Sequence, residues 1–83
     1  MNIREYLKKL GVDSGGVSIM ASKAELYLIS IKKLHVGAAN ILKQDALSIG
    51  ADLAVPKGTV TASEKHVDTL MIATKKQLQL LSR

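Results

Sequence analysis

Eighty-three residues, 47% of them hydrophobic, are rich enough for one folded domain and leave little surplus. Chains this small bury only about 60–65% of the surface they expose when unfolded. With no cysteine, disulfides and thiolate metal sites are excluded. The net charge of +5 comes from twelve basic and seven acidic residues. The basic residues are scattered, with doublets at Lys8-Lys9, Lys32-Lys33 and Lys75-Lys76, and no Phe or Trp lies among them to stack bases, which argues against nucleic-acid binding.

The first predicted element is a short helix, because Ile3, Tyr6, Leu7 and Leu10 recur at helical spacing. Asn2 is placed to cap it, Glu5 stands in capping-box position and Gly11 ends it. GVDSGG reads as a loop in which Asp13 bonds nearby backbone N–H groups. Val17 to Ala21 and Glu25 to Ile31 read as two strands of a hairpin around Ser22-Lys23-Ala24. Leu26 and Leu28 face one way in the second strand, with Tyr27, Ile29 and Ile31 facing the other, which predicts a central strand covered on both sides.

A helix from about Val36 to Ile49 follows, with Ala38, Ala39, Leu42, Ala46 and Ile49 as its apolar stripe and Ile41 on the flank. Gly50 stops it and Ala51 to Val55 begins a third strand, so strand, helix and strand predict a right-handed parallel crossover. Pro56-Lys57-Gly58 turns the chain, Thr59 to Thr61 resume extended structure, and Ser63-Glu64-Lys65-His66 make a polar bend. Val67 to Ala73 form the fourth strand. Thr74 then caps a last helix with Gln77 as its capping-box partner. That helix is unfinished at Arg83, as at the edge of a larger protein. The expected fold is α+β: a mixed sheet of about four strands with one βαβ crossover, packed with three helices.

Chemistry is sparse. His35 and His66 have no acidic or thiol neighbour at metal-ligand spacing, and both read as polar edge residues. GVDSGG lacks the spacing and following lysine of a phosphate cradle, and PKGT puts lysine before glycine, the reverse of a P-loop. Asp13, Asp45, Asp52 and Asp68 show no pairing that would make an acid or base of any of them. Asp45 stands out, because at 100° per residue it falls between Ile41 and Ile49 on the apolar side. It is read as a boundary carboxylate paired with a lysine, with a docking or regulatory role as the sharper alternative. No catalytic residue, cofactor-binding residue or metal ligand is assigned. The longest apolar run, Leu26 to Ile31, is broken by Ser30 and far short of a membrane span, and the absence of cysteine fits a reducing, cytoplasmic location.

The run AANILKQDALSIGADLAVPKG, residues 38–58, resembles a segment ahead of the catalytic barrel in bacterial dihydropteroate synthases. GVDSGGVSIMASK and VDTLMIATKKQLQLLSR are similar to the flanking parts of that N-terminal region, including the epsilonproteobacterial type. The resemblance implies a domain preceding a TIM-type barrel that condenses dihydropterin pyrophosphate with p-aminobenzoate, with magnesium assisting. The barrel's Asn-Val-Thr-Pro-Asp-Ser type loop and its pterin-binding motifs are absent here, and such a barrel needs roughly 200 residues or more. The expectation is therefore a single N-terminal domain, residues 1–83, structural or assembly-forming and silent alone. Its partners would be the barrel of the same chain and further copies of itself. The competing expectation is a free-standing basic module for RNA, which charge and size permit.

Overall fold

The computed structural model describes residues 1–82; the unfinished end of the last helix at Arg83 lies outside the described residues. The elements run α1 (Ile3–Lys9), α2 (Ser14–Ala24), β1 (Leu26–His35), α3 (Val36–Ser48), β2 (Asp52–Ala54), β3 (His66–Thr74) and α4 (Lys75–Leu81). The α+β class stands, but there are three strands rather than four and four helices rather than three. The strand order is β1-β3-β2, with both hydrogen-bonded pairs antiparallel, so the sheet is not mixed. Since β1 and β2 are each antiparallel to β3, they run the same way. The crossover through α3 thus steps over β3 instead of joining adjacent strands.

The predicted hairpin is absent because its first arm is α2. Asp13 accepts a bond from the Gly16 amide at 3.1 Å, an N-cap that starts the helix. A Cβ on Gly16 would meet Val12 Cγ1 at 2.9 Å, so a glycine suits this cap. Val17 and Ala21, four apart, are the buried positions of α2. The alternation of Val17 and Ile19 mimicked a strand, but Ile19 is exposed.

The second correction concerns β1, which is an edge strand and not the central one. The central strand is β3, whose alternating burial follows the period of two. Its Val67, Thr69, Met71 and Ala73 are buried on one face, where Leu53 of β2 joins them. Leu53, Met71 and Ala73 form one cluster with Ala46 of α3 and Ala51, and Leu42, Ile49, Leu78 and Leu81 pack against it. The core is thin: Leu53 is its only large apolar side chain that is wholly buried, among the described residues.

The opposite face of the sheet carries Leu26, Leu28, Ser30, Asp52, Ala54, Asp68, Leu70, Ile72 and Thr74, and none of them is buried. The molecule measures 52 × 24 × 15 Å, with a radius of gyration of 16.1 Å. A compact domain of this length would have about 12 Å. The chain is therefore an elongated slab, two layers thick.

The expected caps and helix stop hold locally. Asn2 caps α1 through the Glu5 amide at 3.3 Å. Gly50 follows α3 at φ 83°, a conformation glycine adopts without strain. Thr74 and Gln77 form both bonds of a capping box, at 3.2 and 2.9 Å. Thr59 to Thr61 are turns rather than extended chain, held by the Thr59 hydroxyl donating to Pro56 O at 2.8 Å.

Candidate functional site

Among the described residues, polar groups gather at several places, and three of them hold the residues that the sequence singled out. At one end of the sheet His35 pairs with His66 across β1 and β3. Their rings meet edge to face with centroids 5.7 Å apart. His35 also caps α3, its Nδ1 accepting from the Gly37 amide at 3.0 Å. This employment suits the reading of both histidines as edge residues. Among the described residues, no three or more His, Asp or Glu side chains converge as a metal set.

Beside this pair lies a groove of about 280 Å³, lined in part by Lys57, Ser63, Glu64, His66 and Asp68. It falls just below the roughly 300–1,000 Å³ of small-molecule sites. Its floor is spoken for: Asn40 donates to Thr59 O at 2.9 Å, and Thr61 and Ser63 hydroxyls donate to Gly58 O. The arrangement is that of a braced turn, with no nucleophile set against a base.

The third place joins α3 to β2. Lys43 Nζ donates to Asp52 Oδ1 at 2.8 Å and to Leu53 O at 3.0 Å. The Lys43 bond, then the Leu53 amide bond, hold the Asp52 carboxyl below the ordinary carboxylate range. Asp52 is therefore a structural tie, half-exposed, and not a waiting acid.

Asp45 does not occupy the boundary that the helical wheel assigned to it. It is exposed on α3 and, among the described residues, forms no ion pair. Ile41, one turn earlier, is 67% exposed. The apolar stripe is narrower than expected, since Val36, Ala39 and Ala46 are its buried members and Ala38 is exposed. Asp45 is thus an exposed acid, one turn from the exposed Ile41.

The feature that sequence reasoning misplaced is the surface of β1. Leu26 and Leu28 are 61% and 63% exposed on one face, while Tyr27 and Ile29 are each 39% exposed on the other. The signal for an edge was present in the polar ends of the strand, Glu25 and Lys32-Lys33.

Over 79 residues, 95% of its length, the chain is 34% identical to the bifunctional dihydropteroate synthase/dihydropteroate reductase of Helicobacter pylori (strain ATCC 700392 / 26695). The matched stretch is 21% of that protein, so the chain spans about a fifth of the relative's length. No protein-family model matches the chain, and no solved structure matches it. The similarity runs through nearly all of this chain, with the elements described above inside it. No described helix is long and apolar enough to cross a membrane.

Proposed function

We propose that this chain is a structural and assembly domain attached to a dihydropteroate synthase-type enzyme of folate synthesis, acting by contact and not by chemistry of its own. The observation that carries the reading is the uncovered apolar surface of the sheet. Leu26 and Leu28 are largely exposed there, with Leu70 and Ile72 half-buried beside them. Exposed apolar patches of several hundred Å² are rare on free monomers and mark places where something docks. In this reading the synthase reaction's magnesium belongs to the barrel. Asp45, exposed beside Ile41, is the carboxylate this reading offers to a cation on the docked barrel.

The name of the relative supports a second reading, since it joins a reductase to the synthase. A segment without the synthase motifs then contributes to the reductase half. Such a reaction needs a bound hydride carrier. This chain has no Gly-x-Gly-x-x-Gly fingerprint, so it would form one wall of a site shared with the rest of the protein.

The test compares a longer protein carrying this domain and the barrel with a version lacking residues 1–83. The structural reading predicts a lower melting temperature or a smaller oligomeric mass, while each folded barrel still releases pyrophosphate. Loss of dihydropteroate-dependent cofactor oxidation alone would favour the second reading. If deletion changes none of these, both fail. Within the intact protein, Asp45→Asn should shift the stability of the domain itself by no more than about 0.5 kcal/mol, as for an unpaired surface residue. A change in the barrel's melting temperature with this variant would give Asp45 its docking role.

A further inference from the structure

The regular part of β1 has an unpaired outer edge. The Lys75 amide donates to Glu25 O at 3.0 Å, which makes residues 25 and 75 a hydrogen-bonded pair in the β1–β3 register. Every second residue after Glu25 therefore points its backbone groups at β3. The N–H and C=O groups of Leu26, Leu28 and Ser30 point away from the sheet, and among the described residues no strand lies beyond them.

Natural edges are blunted by lysines, prolines, bulges or short length. Here those devices are confined to the far end of β1. The register slips between Ile31 and Leu34, Lys33 has φ 52°, and its amide bonds Asp68 Oδ1 at 2.9 Å. From Leu26 to Ile31 nothing blunts the edge, and Ser30 is the one polar side chain.

Both faces of this stretch are apolar and open. A body stacked on the sheet would cover Leu26 and Leu28 and leave Tyr27 and Ile29 in water. A strand added at the edge lies beside all four. Charge selects the direction and identity of that strand. Glu25 stands just before β1, and Lys32-Lys33 lie beyond its regular part. Arg4 reaches Glu25 only at Oε1, by bonds of 3.0 and 2.7 Å. Parallel pairing of two such strands sets like charges together, whereas antiparallel pairing brings each Glu25 to the other strand's lysines. Antiparallel pairing about a two-fold axis is also the arrangement in which one edge complements itself.

We propose that the partner of this edge is a second copy of the chain: β1 pairs antiparallel with its counterpart over Leu26–Lys32, making a continuous six-stranded sheet across a two-fold axis at Ile29, with Leu28 opposite Ser30 and Glu25 opposite Lys33. This names the partner for the assembly side of the function proposed above and rests on it. Bracing of a barrel is a separate contact, and it survives if the pairing fails. Seven residues a side fall short of the about 800 Å² per partner of a standard interface, so a weak, concentration-dependent dimer is expected.

The test is sedimentation of the 83-residue chain over a concentration series reaching about 1 mM, with amide hydrogen exchange at both ends of the series. The mass should rise towards twice that of the monomer. Exchange at Leu26, Leu28 and Ser30 should slow by about tenfold or more in the concentrated sample. Leu28→Lys alters an exposed side chain, and Ser30→Pro removes an outward-facing donor without touching the β1–β3 ladder. Each should return the monomer while keeping the far-ultraviolet dichroism of the fold. A monomer throughout the series overturns the proposal. So does a dimer in which those three amides exchange unchanged, a measurement on the unaltered chain that needs no variant to fold.

Discussion

Asp52 shows how one residue can look like chemistry and serve as a fastening. Its carboxylate accepts from Lys43 Nζ and from the Leu53 amide at 2.8 and 2.7 Å, tying the start of β2 to the middle of α3. These bonds favour the charged form, so the folded-state pKa lies below the unfolded one. The stability they contribute is then present above the ordinary carboxylate range and is lost as pH falls through the folded value. Lys43→Met should move the Asp52 titration, followed by carboxyl NMR, back up towards the ordinary value and weaken the acid dependence of stability. An unchanged midpoint would mean that the tie is not populated in solution. Asp45 teaches the converse. A helical wheel gives direction about an axis, but only the neighbouring elements decide which directions are inside. Here α3 meets the sheet through Val36, Ala39 and Ala46, and Asp45 and Ile41 are left in water.

At the scale of elements, what the sequence makes legible is what is local. The Asn2 cap, the Gly50 stop and the Thr74–Gln77 box are written in neighbouring residues, and α1, α3 and α4 follow from them. Thr74→Ala removes a side-chain acceptor at the start of a seven-residue helix. It should cost about 1 kcal/mol in chemical denaturation, within the usual range for an N-cap. Loss of less than a few tenths would show the last helix frayed in solution. Val17–Ala21 alternates like a strand but folds as helix, because Asp13 is an N-cap and not a loop residue. Once α2 is capped, Val17 and Ala21 fall on one buried side. The rank of β1 was hidden for another reason. Two apolar faces describe equally a strand inside a sheet and one at its edge awaiting cover. What decides is the late arrival of β3, which enters between two strands already laid down in chain order.

The whole molecule is a slab only 15 Å thick, with one sheet face packed on helices and the other bare. Its buried residues are mostly Ala and Val, with Leu7, Leu53 and Met71 the larger ones. Such a core gives a marginal domain, and completion by contact would add what it lacks. That is the central claim, and it can be tested in trans with the isolated chain and a separate synthase barrel. A tether supplies millimolar effective concentration, so even weak docking counts in the linked protein. Calorimetric titration of the two pieces up to about 1 mM should show binding with a negative heat-capacity change, the mark of apolar burial. Absence of any binding heat at that concentration, across two temperatures, would contradict the claim.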